Sequence, residues 1–542
     1  MIPYRLRAPP LRLLVALIVL LSLASGLVAS CVAEGRRPPA EKARVLAAPG
    51  RYAAAEDEYL ELAARDPGNI PLLLELLDNH EMLRAREVEV ARAEQAEEAD
   101  RRQPAPVRAQ REDMAARTER IDTAFTQLPP ESALLAGYWH RVVRGEATPK
   151  DRRRVEDAAS TSPPTRWANH VLALDALREG DDAEAARFFA REAQAFDASR
   201  ADAEAAYWIW VAHGDSEELR RVLEDSRFAS QLGPSVHFDI ADRRGEWWRA
   251  MLTYLRSHHA GSAPGVVVLA LLSAAVWFAF CLSAGGGRRS ERRFLFLYGA
   301  SFVLGVVSTH LTIALMLVEH HLLPFLRSNS PGATLVDCLV GVGPREEISK
   351  ALMALGPLLL ARRWGGRRRE AVACGALVGL GFAAAENLGY FEAGLSTALS
   401  RFPTANFFHI SMTGTVAVAI DDTLRGTVSK GNGVAWTLAF MIVMHGLYDA
   451  LIVAGGGTAW LAMLIFVLVA RRFLAVVREL PGRRPSLLPI FAVGMALVSG
   501  ATFIYGSVLV GPRHAAWAMG AALVGALVVI AMFINDLEHA HT

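Results

Sequence analysis

The stretch that decides the fold is "GVGPREEISKALMALGPLLLARR", which runs from Gly341 to Arg363. Most of it is apolar enough to lie in a bilayer, yet it carries Glu346, Glu347 and Lys350 close together. Each charge at the centre of a membrane helix costs about 2.5–3.5 kcal/mol on insertion scales. Such residues therefore indicate a water-filled cavity or charged partners on neighbouring helices. We interpret this segment as a membrane helix that carries functional residues.

Apolar and charged residues are segregated along the 542-residue chain. Residues 34–259 are rich in alanine, arginine, glutamate and aspartate, whereas residues 264–535 form a series of apolar runs typical of a polytopic membrane protein. The net charge of +1 gives no indication of a nucleic-acid partner. The 4 cysteines form no CxxC pair, so neither a disulfide framework nor a thiolate zinc site is indicated. The predicted fold class is all-α.

Residues 1–33 have the features of an export signal, because arginines precede an apolar core at residues 13–23. The sequence "VASC", which ends at Cys31, resembles a lipobox, in which that cysteine would become a lipidated N-terminus. An uncleaved anchor helix is the alternative, and the sequence leaves both open. Either one places residues 34–262 outside the cytoplasm.

Residues 34–262 are predicted to form an extracytoplasmic domain of helical repeats. The segment Gly50–Asn69 resembles the second helix of a tetratricopeptide repeat, Gly180–Asp197 is a weaker copy, and Gly214–Asp225 is a fragment of a third. Stacked helix pairs of this kind present a concave surface for a protein partner. The spacing between copies is irregular, so an unspecialised helical domain is the alternative.

Nine apolar runs are expected to span the membrane as helices of about 20 residues, or ten with an uncleaved N-terminus. The predicted spans are 265–283, 294–317, 334–361, 370–392, 404–423, 434–454, 458–476, 486–510 and 514–534. They divide into a core at residues 263–480 and two additional spans at residues 481–542.

Lysine and arginine cluster in alternate loops, at residues 288–293, 362–369, 425–430 and 471–484. Positive loops are cytoplasmic as a rule, which agrees with the orientation that the export signal indicates. We therefore predict a multi-pass protein of the bacterial inner membrane.

The candidate site consists of the ionisable and polar residues inside the predicted spans. They are Glu346, Glu347, Lys350, Glu386, Asn387, His409, His445 and Asp449. A rise of about 1.5 Å per residue places them together in the outer half of the bilayer. We expect them to surround one cavity.

The spacing of these residues predicts specific contacts. Lys350 follows Glu346 by four positions and Glu347 by three, so it can neutralise one of the two carboxylates. The remaining carboxylate, in a low-dielectric cavity, is suited to act as a general base. Asp449 follows His445 by four positions and can orient its imidazole.

The predicted helix that carries Glu386 also contains an aromatic residue and three glycines that would affect its packing. Phe382, one turn earlier, can form a wall of the cavity. Gly375, Gly379 and Gly381 give the same helix a small face for close approach to a neighbour.

A base, an acid and a desolvated pocket are the parts that activate water against an amide. The histidines and carboxylates could instead hold a metal such as zinc. The chain has no HExxH pair and no GxSxG elbow, which argues against a zincin-type site and a serine mechanism.

Four short motifs occur in order on successive predicted spans: "EEISK" (346–350), "FAAAEN" (382–387), "FH" (408–409) and "HGLYD" (445–449). Together they resemble those of the PrsW family of bacterial intramembrane proteases, which belongs to a wider group with the CAAX-processing prenyl endopeptidases. The resemblance covers about residues 265–480. It implies cleavage of a membrane protein substrate in or near the bilayer, in the best-known case an anti-sigma factor cut on its extracytoplasmic side.

The resemblance also implies roles for individual residues. Glu346 and Glu347 match the paired glutamates, one of which would be the general base. Glu386 matches the glutamate of the second motif, and His409 and His445 would stabilise an oxyanion or bind an ion. Glu386 and the two histidines are the predicted ligands if a metal is present. The choice between a glutamic and a metal-dependent mechanism stays open.

Two other classes of function are compatible with the sequence. The first is a non-catalytic receptor or scaffold in which the repeat domain binds a partner. The second is a proton-coupled transporter, which should show inverted repeats and broken spans, and neither is clear. A scaffold predicts that Glu346→Gln or His445→Ala leaves the phenotype intact.

Overall fold

The computed structural model describes residues 52–98, 107–197, 199–260, 264–285, 291–323, 331–392, 394–428, 433–455, 458–480, 487–513 and 515–520, with single residues near both ends. The predicted export signal at residues 1–33, including Cys31, lies outside them. Within the described part of the chain all regular structure is helical. Two compact units are present, one at residues 37–240 and one that includes residues 241–542.

In the first unit the described residues form eleven helices, of which the last crosses the unit boundary. They are α1 (Tyr52–Arg65), α2 (Ile70–Glu98), α3 (Val107–Thr126), α4 (Pro130–Arg144), α5 (Pro149–Ala159), α6 (Ala168–Glu179), α7 (Asp182–Ala195), α8 (Arg200–His213), α9 (Ser216–Leu223), α10 (Ser226–Gln231) and α11 (Pro234–Arg243).

Helix ends in this unit recur at similar intervals. Gly145, Gly180 and Gly214 end α4, α6 and α8 with φ values of 71°, 80° and 71°, the left-handed conformation that glycine adopts without strain. The interval between them is roughly that of a 34-residue helix pair. This recurrence supports stacked helix pairs, while the tetratricopeptide assignment itself stays a prediction.

Buried polar contacts join successive pairs in the first unit. The hydroxyl of Tyr138 donates to Oδ2 of Asp175 at 2.5 Å, and the hydroxyl of Tyr207 donates to Oδ2 of Asp239 at the same distance. A buried hydroxyl without a partner would destabilise the fold, so each tyrosine fixes the position of the following helix pair.

After the last residues of α11, the described part of the second unit contains α12 and the apolar helices. They are α12 (Trp247–Ala260), α13 (Pro264–Gly285), α14 (Arg292–Leu322), α15 (Pro331–Val336), a π-helical turn (Asp337–Val342), α16 (Gly343–Arg363), α17 (Arg368–Glu392), α18 (Leu395–Arg401), α19 (Ala405–Arg425), α20 (Val434–Ala454), α21 (Ala459–Arg478) and α22 (Leu488–Val510).

Six of these helices, namely α13, α14, α17, α20, α21 and α22, are long and apolar enough to cross a membrane. They coincide with six predicted spans, and the chain is accordingly a multi-pass membrane protein. The predicted spans 334–361 and 404–423 are helical too, but α16 and α19 carry the polar candidate residues and fall short of the same apolarity. The predicted span 514–534 lies only partly within the described residues. Length and composition therefore support six spans within the described residues, and the total of nine stays a prediction.

Helix α17 lies at the centre of the second unit, where its apolar stretch is 83% buried. A Cβ atom placed on Gly379 would lie 2.3 Å from the carbonyl oxygen of His409 on α19. On Gly381 it would lie 2.0 Å from the carbonyl oxygen of Phe302 on α14. The small face that the sequence predicts is thus confirmed, and it serves two neighbours on opposite sides.

An aromatic cluster fixes α13 against α19. The ring of Trp277 stacks on Phe407 with a centroid distance of 5.3 Å. Its indole N–H donates to the carbonyl oxygen of Phe402 at 2.8 Å, so the one polar atom of this buried side chain is satisfied. This contact holds the beginning of α19, and with it His409, at a fixed height in the bundle.

Candidate active site

Helix α16 presents two different faces. Glu346, Glu347 and Lys350 are buried on the inward face, whereas Ile348 and Leu352 are exposed on the other. The π-helical turn before α16 contains an extra residue per turn, which changes the direction of the side chains that follow. The amphipathic arrangement turns all three charges towards α17, α19 and α20.

Lys350 lies at the centre of the cluster and is fully buried. Its Nζ atom is 2.6 Å from Oε1 of Glu347, 3.6 Å from Oε2 of Glu346 and 3.0 Å from Nδ1 of His409. It also lies over the ring of Phe382, 4.4 Å from the centroid. The predicted neutralisation of one carboxylate thus applies to Glu347, and Phe382 forms a wall of the site.

The imidazole of His445 contacts three carboxylates. Its Nδ1 atom lies 2.8 Å from Oε1 of Glu347. On the other side, Nε2 lies 3.5 Å from Oε2 of Glu346 and 3.4 Å from Oδ2 of Asp449. Glu347 therefore makes the short hydrogen bond that sets the ring orientation, a role that the sequence had suggested for Asp449.

His409 joins the cluster to a second acidic group. Nδ1 of His409 lies 3.0 Å from Nζ of Lys350 on one side of the ring, and Nε2 is the nitrogen on the other side. That nitrogen lies 3.2 Å from Oε2 of Glu386. The two histidine rings are 5.3 Å apart and nearly perpendicular. The residues predicted for the site are therefore adjacent in space.

Arg401, on the short helix α18, is a member of the site that the sequence analysis missed. Its Nη2 atom lies 3.0 Å from Oε2 of Glu386, and its Nε atom donates to Oδ1 of Asn387 at 2.9 Å. The guanidinium also stacks over the ring of Tyr390, at 3.8 Å from the centroid. One feature of the sequence could have indicated its role: Arg401 is the only charged residue in the segment 393–403, which connects two predicted spans.

Asn387 extends this network into the bundle. Its Nδ2 atom donates to Oδ1 of Asn406 at 2.8 Å, and Nδ2 of Asn406 donates to Oγ of Ser273 at 2.8 Å. These amides are buried, and each makes the bonds that burial requires. Asn387 thus acts on the site indirectly, by holding Arg401.

A second charge cluster, also unpredicted, lies at the start of α16. The guanidinium of Arg345 contacts Oε2 of Glu319 on α14 and Oδ1 of Asp337 in the π-helical turn, each at 3.0 Å. These bonds connect the π-helical turn to α14 and so fix the direction in which α16 begins.

Glu346, His409 and His445 form a group that fits a divalent metal, because each offers a ligand atom and these atoms lie within 4.8 Å of one another. Oε2 of Glu346 is buried without a hydrogen-bond partner among the described residues, as expected of an atom that awaits a ligand. The hydrogen bond from His445 to Glu347 is the contact that typically orients a metal-binding imidazole. The sequence had assigned Glu386 to this set, but that carboxylate is bound to Arg401 and His409 instead.

A cavity of about 370 Å³ opens beside the cluster. It lies between α12, α14, α16 and α17, and both Glu346 and Glu386 belong to its wall. Tyr254 of α12 faces the same space; burial and the nearby carboxylate of Glu386 raise its pKa to about 12. The hydroxyl therefore keeps its proton at neutral pH.

Comparisons with known proteins give one result. No curated protein and no solved structure matches the chain. Residues 294–473 match the model of the family described as PrsW family intramembrane metalloprotease. This range contains all the motif residues on α16, α17, α19 and α20. For this part of the chain, the match and the arrangement of glutamates and histidines support the PrsW family of intramembrane proteases.

Proposed function

We propose that the chain is an intramembrane protease that hydrolyses peptide bonds of membrane proteins at the cluster of Glu346, Glu347, His409 and His445. The observation that carries the proposal is the position of Glu346. Its carboxylate is buried, its Oε2 atom has no hydrogen-bond partner among the described residues, and it lines a cavity. A carboxylate so placed can accept a proton from a water molecule that attacks a carbonyl carbon.

The two adjacent glutamates would then have different roles. Glu347 is bound by Lys350 and His445, so it serves to hold those groups in place. Glu346 contacts Lys350 and His445 only at 3.6 and 3.5 Å, which leaves it available to water. We therefore assign the base to Glu346.

The histidines and Lys350 supply the remaining requirements of hydrolysis. Attack by water places negative charge on the carbonyl oxygen, and a cationic or donating group within reach stabilises that charge. His445 and Lys350 are candidates, because both lie beside the carboxylate of Glu346, which lines the cavity. The proton that Glu346 accepts is returned to the leaving amine, which completes the hydrolysis.

The two catalytic types differ in the role of Glu346. In a glutamic mechanism Glu346 is the base, as above. In a metal-dependent mechanism Glu346, His409 and His445 would hold the ion, which would supply Lewis-acid activation of water. In both, Glu347 fixes the tautomer of His445 and Lys350 compensates the charge of Glu347.

The substrate class follows from the surroundings of the site. A membrane-embedded protease acts on a membrane protein in a lipid environment. The predicted orientation places the cut near the outer leaflet, and an anti-sigma-factor-like regulator is the proposed type of substrate. The exported helical unit, residues 37–240, would bind a protein partner, and the protein would lie in the bacterial inner membrane.

The test compares membrane-protein fragments in cells that carry the wild type, Glu346→Gln or Glu347→Gln. The proposal predicts an uncut membrane protein that accumulates in both variants. Glu291→Gln is the control, because that residue is paired with Arg293 outside the cluster. Equal fragment patterns in all four strains would contradict a protease and leave the scaffold as the better interpretation.

A further inference from the structure

The cavity beside the cluster has a volume of about 370 Å³. In an α-helix the backbone N–H and C=O groups are already hydrogen-bonded to one another. A polypeptide whose backbone is to be bound and cut at Glu346 must therefore present an unwound segment.

The wall of the cavity contains a polar group that lacks a partner. Thr312 on α14 is 7% exposed, and its hydroxyl has no hydrogen-bond partner among the described residues. Thr309, one turn earlier in the same wall, instead donates to the carbonyl oxygen of Val306 at 2.7 Å. A buried hydroxyl usually makes such a bond, and leaving one unsatisfied costs about 1–3 kcal/mol.

The rest of the wall combines an apolar side with a charged end. Ile313, Met316 and Phe382 provide the apolar surface, and methionine adapts its shape to different side chains. Glu346 and Glu386 lie at the charged end. An acidic side chain in this space would meet carboxylates, whereas an apolar one would be buried favourably.

We infer that this cavity is the substrate subsite, in which Thr312 hydrogen-bonds to the backbone of an unwound segment while Ile313 and Met316 receive an apolar side chain. The inference rests on the proposed protease function and adds to it the chemical class of the residue beside the cut. Thr312 is thus a binding residue that takes no part in the bond-breaking step.

The test uses a dansyl-labelled peptide amide of alternating leucine and alanine, which binds to the full-length protein in detergent. Fluorescence anisotropy at 4 °C gives the Kd, and mass spectrometry verifies that the peptide stays intact. Thr312→Val keeps the shape of the side chain and removes the hydroxyl. We expect it to raise Kd about fivefold, the equivalent of one net hydrogen bond. Thr502→Val on α22 is the matched control and should bind like the wild type, because the buried hydroxyl of Thr502 donates to the carbonyl oxygen of Val498 and does not line the cavity.

One further protein variant and one further peptide, measured in the same binding assay, test the apolar part of the subsite. Met316→Trp should fill the space and abolish binding, and a peptide with aspartate in place of leucine should bind at least tenfold more weakly than the leucine peptide. If Thr312→Val and Thr502→Val both bind like the wild type, the subsite is wrong, even if the fragment patterns establish a protease. If Thr312→Val weakens binding but Glu346→Gln changes no fragment pattern, the peptide site stands and the protease does not.

Discussion

Nδ1 of His445 faces Oε1 of Glu347 at 2.8 Å, although the two residues are 98 positions apart in the sequence. The carboxylate within the same motif, Asp449, lies 3.4 Å from the opposite ring nitrogen and is partly exposed. The orientation of His445 therefore depends on a contact between α16 and α20, and not on a contact within α20.

This relationship predicts unequal effects of two substitutions. Glu347→Gln should lower kcat by about 100-fold or more, because it disturbs both the tautomer of His445 and the partner of Lys350. Asp449→Asn should lower kcat only about tenfold, as for a supporting contact. Cleavage rates with a membrane substrate found in the fragment comparison would measure both. Equal losses would contradict the assignment of the orienting role to Glu347.

The charge of Lys350 has no access to solvent, so its removal should be costly. Lys350→Met would leave Glu347 without its 2.6 Å partner, and breaking a buried pair in this way destabilises a protein by about 3–5 kcal/mol. Lys350→Met combined with Glu347→Gln removes both charges and should recover most of the thermal stability without recovering activity. Thermal unfolding in detergent and the cleavage assay would separate the two effects. A double variant as unstable as Lys350→Met would contradict the pairing.

The contact between Arg401 and Glu386 gives a prediction for the role of Glu386. Arg401→Met should lower kcat by about 10–100-fold, because Glu386 loses the contact that holds it towards His409. Arg401→Lys should restore only part of the activity, since an ammonium cannot contact Glu386 and Asn387 with the same fork geometry. Arg293→Met, which removes an exposed arginine paired with Glu291, is the control and should have wild-type activity. Full activity of Arg401→Met would show that Glu386 needs no support.

The site illustrates what sequence patterns can and cannot predict. Spacing along one helix predicts the pairing of Lys350 with a glutamate, because positions three and four apart share a face. It cannot predict the contact between Lys350 and His409, since that depends on how α17 separates and aligns α16 and α19. The same limit applies to Arg401, which lies on a short helix outside every predicted span.

Composition alone supports fewer spans than the nine predicted for a related reason. Apolarity identifies helices that face lipid, such as α13 and α21, from composition alone. Helices α16 and α19 carry the polar residues, and α19 is buried along most of its length. A hydropathy threshold alone therefore leaves out these two helices, although both coincide with predicted spans, and their place in the bundle emerges only from packing.

The composition of the metal-binding group can be tested without an activity assay. Purified protein loaded with Co²⁺ should show visible absorption bands if the ion binds nitrogen and oxygen ligands. Glu346→Gln, His409→Asn and His445→Asn should each weaken Co²⁺ binding substantially, whereas Glu386→Gln should retain it. If Glu386→Gln abolished the bands and Glu346→Gln did not, the ligand set predicted from the sequence would be the correct one. Absence of Co²⁺ binding by the wild type would favour the glutamic mechanism.

The close approach of α17 to α19 gives a prediction for stability and for the placement of His409. In Gly379→Ala the added methyl group would meet the carbonyl oxygen of His409 at 2.3 Å, a backbone atom that cannot move without shifting α19. Overpacking of this kind costs about 1–3 kcal/mol, so the midpoint of thermal unfolding in detergent should fall. Gly299→Ala, in the interior of α14, has open space around its Cβ position and should be neutral or stabilising by up to about 1 kcal/mol. Because His409 lies on the displaced segment, Gly379→Ala should also lose cleavage activity at temperatures where it is still folded. Equal unfolding midpoints for the two variants would contradict the helix contact on which the position of His409 depends.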